Sequence, residues 1–154
     1  MDLAAALPLP VLQPAPPGLT HRSVVIVSAG GLDLSWPQER VAAALLRRSA
    51  GRLVHLVLHG GARGADQAIG RAARQLGWRV QPRVAAWGRS GRHAGPIRHR
   101  QLLQQALVEA RSHTCATLSA SVRVIAFPGG PGTAALVVVV MTVPPPFSPA
   151  PFVA

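Results

Sequence analysis

Residues 53–66 read LVHLVLHGGARGAD, and this stretch decides the fold class. Its first six residues are rich in branched apolar side chains, which is typical of a short buried β-strand. Two glycines end the run. A helical pattern then begins at Ala65, and apolar residues recur every three or four positions up to Leu76. Gly77 follows as a C-terminal helix glycine. The stretch therefore predicts a strand, a glycine turn and a helix in immediate succession.

The same order of strand, turn and helix is predicted along most of the chain. Further strands are expected at Ser23–Ser28, Trp78–Val84 and Ser121–Phe127. Helices are expected after Pro37 and over Ile97–Arg111, and residues 85–96 are expected to form a polar, glycine-rich loop. Strands that alternate with helices form parallel sheets covered on both faces. We therefore predict an α/β fold: a Rossmann-like parallel sheet flanked by helices, in a single domain with Pro-rich termini.

Proline-rich segments flank this pattern at both ends. Residues 1–21 are predicted to be a flexible leader, residues 22–142 the domain, and residues 143–154 (VPPPFSPAPFVA) an extended tail. The leader has no basic region before its apolar part, unlike a secretory signal. The longest uncharged apolar run is about half the ~20 residues that a membrane helix needs. With Cys115 as its one cysteine, the protein is expected to be soluble, cytoplasmic and without a membrane partner.

The 154-residue chain is strongly basic, and its formal charge of +11 comes from arginine alone among the basic residues counted. Such a charge favours polyanionic partners, either nucleic acid or small phosphorylated ligands. A GC-rich coding sequence would also raise the arginine content, so the charge alone does not decide the function. Lysine and tyrosine are absent, which excludes a P-loop lysine, a Schiff-base lysine and a phenolic acid or base.

Two glycine turns at predicted strand ends suit a phosphate group. Residues 59–66 and 128–133 each place glycines between a strand and a helix start, where backbone amides and the helix dipole attract anions. Arg63 adds a planar guanidinium to the first turn, and Thr133 adds a hydroxyl donor to the second. Each turn alone also fits a tight strand–helix connection with no ligand.

A third segment, residues 87–100, is cationic. It contains Arg98 among several arginines, and Trp87 offers a face for stacking. This segment also fits an exposed basic loop. In parallel α/β sheets, however, ligands bind at the carboxyl ends of the strands, where all three segments are predicted to lie. Their convergence favours a single site for a phosphorylated ligand.

Other chemistries have little support in the residues. Gly130, Gly132 and Ala135 formally match a dinucleotide fingerprint, but no acidic residue follows Glu109 to hold a ribose. The histidines lack the regular spacing of metal ligands, and acidic co-ligands are scarce. We therefore expect no cofactor and no metal. Cys115 is expected to be inert.

Four motifs carry a resemblance to a known superfamily. They are HGGARGAD (59–66), the alanine-rich helix that ends in Gly77-Trp78, AW…G…AGPIRHR (86–100) and VIAFPGGPGT (124–133). In this order and spacing, over about residues 23–136, the chain resembles the SLOG superfamily, and most of all its YspA/cpYpsA-related branch. That superfamily includes the Lonely-guy phosphoribohydrolases and the DNA-processing protein A family. The resemblance implies a Rossmann-like fold that binds a nucleotide or nucleotide-derived ligand.

The turns and the resemblance together define one set of candidate ligand-binding residues. They are Gly30, Gly60, Gly61, Arg63, Gly64, Asp66, Trp87, Arg98, Pro128, Gly129, Gly130, Gly132 and Thr133. The resemblance implies that Arg63, Thr133 and all of these glycines except Gly30 contact the anionic part of the ligand.

The chain departs from the family pattern where catalysis is concerned. Lonely-guy enzymes carry a catalytic glutamate at the position of Leu136, and only Asp33 and Asp66 lie near the predicted site. We therefore favour a non-catalytic sensor or accessory domain for a nucleotide-derived ligand. A nucleoside 5′-monophosphate phosphoribohydrolase, in which Asp66 or Asp33 replaces the missing acid, is an alternative, and a nucleic-acid-binding protein is another. Related families often dimerise through helices, so a homodimer is a further expectation.

Overall fold

The computed structural model describes residues 21–85, 87–115, 118–130, 133 and 152–153. The elements in chain order are β1 (His21–Ala29), α1 (Gln38–Ser49), β2 (Leu53–His59), α2 (Ala65–Gln75), β3 (Val80–Pro82), α3 (Trp87–Ser90), a 3₁₀ turn (Gly91–His93), α4 (Ala94–Ser112), β4 (Leu118–Ala126) and β5 (Phe152–Val153).

These strands form one parallel sheet in the order β3-β2-β1-β4-β5. The central strand is β1, in which Val25 pairs with Leu56 of β2 on one side and with Val122 of β4 on the other. The chain moves from β1 outward to β3 and then crosses back to β4, so the topology reverses beside β1. The predicted α/β fold, a Rossmann-like parallel sheet flanked by helices in a single domain, is confirmed.

Alternate residues of β1 pack on opposite faces of the sheet. Val24 and Ile26 lie in a core with α1 and α2, whereas Val25 and Val27 lie in a core with α4. All four side chains are fully buried. A strand covered on both faces needs an uninterrupted apolar run, which explains the sequence SVVIVS at 23–28. The helices on both faces hold the carboxyl ends of β1, β2 and β4 next to one another.

The third strand is shorter than predicted. It covers Val80–Pro82 rather than Trp78–Val84. Trp78 instead donates its amide to Ala73 O at 3.0 Å, and its side chain packs against the core beneath α2. Gly77 ends the helix as predicted, with a φ of +78°. Trp78 therefore completes the end of α2 and does not begin the strand.

The predicted loop over 85–96 is wrong for most of its length. The chain is helical from Trp87, and α4 begins at Ala94 rather than at Ile97. Pro96 does not oppose this start, because amides in the first turn of a helix have no acceptor within it. Ala94 is also buried, so packing favours an early helix start. This earlier start brings the N-terminal turn of α4 to the carboxyl end of β2.

The described residues reach into both predicted flanks. His21, at the predicted end of the leader, is already part of β1. In the predicted tail, Phe152–Val153 pairs with Ile125 and Ala126 of β4. Residues 1–20 and 134–151 lie outside the described residues. No helix in the described part of the chain is both long and apolar enough to cross a membrane.

Candidate functional site

Three turns meet at the carboxyl edge of the sheet, and we call them the turn cluster. The cluster comprises Gly30–Gly31 after β1, Gly60–Gly64 after β2 and Pro128–Gly130 after β4. Gly31 joins them, because its amide donates to Pro128 O at 2.8 Å and its carbonyl accepts from the Ala65 amide at 2.9 Å. The turns predicted to converge are thus hydrogen-bonded to one another.

Several glycines in the cluster leave room for a neighbouring turn. A Cβ on Gly30 would lie 2.5 Å from Ala65 Cβ and 2.8 Å from Phe127 Cβ. A Cβ on Gly129 would lie 2.6 Å from Gly31 N and would also collide with Thr133 Oγ1. These glycines are therefore required by packing between turns. The sequence pattern predicts instead that the room left by these glycines holds a ligand.

Gly61 and Gly64 are required for a second reason, which is their backbone conformation. Each has a φ of +73°, which residues with a side chain rarely adopt. A Cβ on Gly64 would also collide with the carbonyl of Leu32. Gly130 differs from the others, since a Cβ there would meet no atom of the described residues within 4 Å. The open side of the cluster therefore lies at Gly130.

The amides of the turn after β2 are largely used within the turn itself. The Gly61 amide donates to His59 Nδ1 at 3.0 Å, and the Ala62 amide donates to Asp66 Oδ2 at 3.1 Å. The amides of Gly129 and Gly130 donate to no acceptor among the described residues, and both residues are exposed. The second and third amides of α2 have no acceptor within the helix. Donors for an anion therefore come from the turn after β4 and from the first turn of α2.

Arg98 enters the site from the first turns of α4. Its Nη1 donates to Gly60 O at 3.4 Å, and its Nη2 lies 3.5 Å from His99 Nε2. A Cβ on Gly60 would lie 2.7 Å from Arg98 Cζ and 2.8 Å from Asp66 Oδ2. Gly60 thus lets a guanidinium and a carboxyl group approach the same backbone position.

Asp66 combines a structural contact with an unused oxygen. The side chain is buried, and Oδ2 accepts the Ala62 amide, which supports the start of α2. Oδ1 is also buried and has no hydrogen-bond partner within the described part of the chain. Burial raises the pKa of Asp66, while the Ala62 amide and the positive charge of Arg98 oppose that rise. The Ala62 amide therefore occupies Oδ2, whereas the buried Oδ1 has no partner among the described residues.

The two other charged residues near the turns are exposed. Arg63 Nη2 lies 3.9 Å from Asp33 Oδ1, and the side chains are 73% and 95% exposed. Such a pair contributes about 0–1 kcal/mol in water. The guanidinium of Arg63 is therefore free to exchange Asp33 for a phosphate.

Two buried histidines next to the turns were not predicted as site residues. His59 is 4% exposed and His99 is 2% exposed. Burial, with the nearby positive charge of arginines, lowers the pKa of each to about 4. Periodicity could have found both: His59 follows Val57 on the α2 face of β2, and His99 continues the buried stripe of α4 that includes Leu102.

Some candidate residues lie outside what the structure describes. Gly132 and Leu136 are among them. Trp87 is described by its backbone alone, at the first position of α3. Thr133 is described, and its amide donates to Gly130 O at 3.1 Å. Among the described residues, no cluster of three histidine, cysteine or acidic side chains could hold a metal ion.

Comparison of the chain with protein-family models, curated proteins and solved structures gives no match. Membership of the SLOG superfamily therefore stays a prediction from the four motifs.

Proposed function

We propose that the turn cluster binds the phosphate of a nucleotide or nucleotide-derived ligand, and that the protein is a sensor or accessory domain without catalysis. One observation carries the proposal. The turns after β1 and β4 and the start of α2 are hydrogen-bonded into one edge, where the amides of Gly129 and Gly130 have no acceptor in the described part of the chain. The motif resemblance supports the nucleotide class of ligand.

The donors on this edge match the chemistry of a phosphate. Backbone amides donate to its oxygens, and the N-terminus of α2 contributes roughly half a positive charge. Arg63 adds a guanidinium that can form two parallel hydrogen bonds with two phosphate oxygens. A ligand held in this way needs no catalytic carboxylate at the position of Leu136. Binding without chemistry is therefore the simplest function for these residues.

Replacing Arg63 by glutamine is expected to weaken binding of AMP or CMP by about ten- to hundredfold, because one charge-assisted contact is lost. Isothermal titration calorimetry of the purified protein measures this change. Arg47→Gln is the matched control, since Arg47 is exposed in the last turn of α1, at the opposite edge of the sheet.

Failure of AMP, CMP and other mononucleotides to bind would contradict the proposal, as would equal losses in Arg63→Gln and Arg47→Gln. Single-stranded DNA in the same titrations tests the nucleic-acid alternative. That alternative predicts affinity that falls steeply with salt, no preference for mononucleotides and similar effects of both arginine substitutions.

A phosphoribohydrolase is a second candidate, and Asp66 is the observation that favours it. Its buried, unpartnered Oδ1 and raised pKa are properties of a carboxyl group that can hold a proton for a leaving base. If this function is right, Asp66→Asn lowers release of free base from AMP or CMP by about a hundredfold or more. Release is measured by chromatography of the products.

Asp33→Asn is the control for this assay, because Asp33 is the other acidic residue near the turns and is almost fully exposed. Base release that survives in Asp66→Asn would exclude Asp66 as the acid. No release by the unsubstituted protein, together with tight nucleotide binding, would leave the sensor function.

A further inference from the structure

A cavity of about 340 Å³ opens between α2 and the end of β3, and it shares Gly61 with the turn cluster. One wall is the face of α2 formed by Gln67, Gly70, Arg71 and Arg74, which recur at the i, i+3, i+4 and i+7 spacing of a single helix face. The floor includes His59, the last residue of β2. This cavity uses a different part of α2 from the helix start in the turn cluster.

The charge of the cavity is positive. Arg71 and Arg74 are exposed, and neither lies within salt-bridge distance of an acidic side chain in the described segments. No acidic residue lines the cavity. Two full positive charges thus face one space, and no acidic side chain is among the described residues that line it.

His59 lines this cavity, and its ring carries a buried hydrogen-bond donor. Its Nδ1 accepts the Gly61 amide, so the proton of the neutral ring is on Nε2. The ring is neutral at pH 7, because burial and the charges of Arg74 and Arg98 lower the pKa of His59 to about 4. Nε2 is fully buried and has no partner among the residues that the structure describes.

Because Gly70 has no side chain, His59 and Arg74 can both lie close to the backbone of α2 there. A Cβ at Gly70 would lie 3.0 Å from His59 Nε2 and 3.3 Å from Arg74 Nη1. The two nitrogens therefore flank the same point above the helix backbone. Both are donors, so neither can satisfy the other. An oxyanion that accepts a hydrogen bond from each nitrogen would satisfy both donors.

We propose that this cavity is a second anion site, which binds the phosphate of a phosphate monoester through His59 Nε2–H, Arg71 and Arg74. Two guanidinium groups and a neutral donor match the double charge of a phosphate monoester better than the single charge of a carboxylate. The volume exceeds that of a phosphate group. Val84, which is 69% exposed, and Pro82 form an apolar wall that suits an attached organic group.

Nuclear magnetic resonance of ¹⁵N-labelled protein tests the site directly on the whole chain. Phenyl phosphate and inorganic phosphate are the probes. Either is expected to shift the ring Nε2–H resonance of His59 and the amide of Gly70, and phenyl phosphate is expected to bind more tightly. Arg71→Gln/Arg74→Gln is expected to weaken phosphate binding by about a hundredfold, or about tenfold for each arginine.

The matched control is Arg47→Gln/Arg111→Gln, which removes two exposed arginines in the last turns of α1 and α4. It should leave binding unchanged. Arg63→Gln separates this proposal from the proposed function, since it should weaken nucleotide binding at the turns and leave the His59 shift intact. The proposal is overturned if phosphate leaves His59 and Gly70 unshifted, if both double variants weaken binding equally, or if Arg63→Gln abolishes the His59 shift.

Discussion

Replacing Gly64 by alanine is expected to lower the free energy of unfolding by about 3 to 5 kcal/mol. The φ of +73° and ψ of −120° at Gly64 are accessible mainly to glycine. The new methyl group would also collide with the backbone carbonyl of Leu32, which cannot rotate away as a side chain could. Urea unfolding followed by circular dichroism measures the change.

Gly77→Ala is the matched control, because Gly77 has nearly the same φ as Gly64 but a methyl group there causes no such collision. Gly77 has a φ of +78°, and a Cβ there would meet nothing within 4 Å. Its cost should be the backbone conformation alone, about 1 to 2 kcal/mol. Equal losses of unfolding free energy at Gly64 and Gly77 would mean that the turns after β1 and β2 are not packed as described. The turn cluster would then not be rigid.

This rigidity matters for the proposed ligand. Amides bind a phosphate well when they already point toward it, because no further ordering of the backbone is then needed. Gly30, Gly64 and Gly129 allow three turns to pack against one another, whereas no described residue comes within 4 Å of a Cβ placed on Gly130. The packed glycines therefore hold the turns together, whereas Gly130 is proposed to face the ligand. Substitutions at the packed glycines test the fold, whereas those on the open side test binding.

The fold could be predicted from local pattern because both faces of the sheet are covered. Val24 to Val27 must be apolar at every position, and such a run is visible in the sequence without knowledge of its neighbours. The glycine turns could also be predicted from local pattern, because their glycines lie between a strand pattern and a helix pattern. Their carboxyl-edge location follows from the parallel order alone.

The packing of the turns could not be predicted in this way. Gly30 and Gly129 are far apart in the sequence and are brought together by the pairing of β1 with β4. No local pattern distinguishes a glycine that faces a phosphate from one that faces another turn. The early start of α4 was missed because Gly95 and Pro96 were interpreted as loop residues. This start is what places Arg98 against Gly60.

Lowering the pH from 7 to 4 is expected to cost the protein about 3 to 6 kcal/mol of stability through His59 and His99. Their pKa is about 4 in the folded state and about 6.5 in the unfolded chain. Between these values the unfolded chain binds more protons, so stability falls as the pH falls through the window. Asp66 has a raised pKa and opposes part of this loss, since its folded state retains a proton more readily.

Urea unfolding at intervals between pH 4 and pH 7 measures this dependence. His59→Gln/His99→Asn removes both titrating rings and should flatten the profile over the window, even if it lowers stability at pH 7 by leaving the Gly61 amide less well paired. His93→Asn is the control, because His93 is exposed in the turn before α4, and it should keep the loss at acid pH. The prediction fails if the double variant and His93→Asn lose stability in parallel. That result would mean that the two rings are not held neutral by burial.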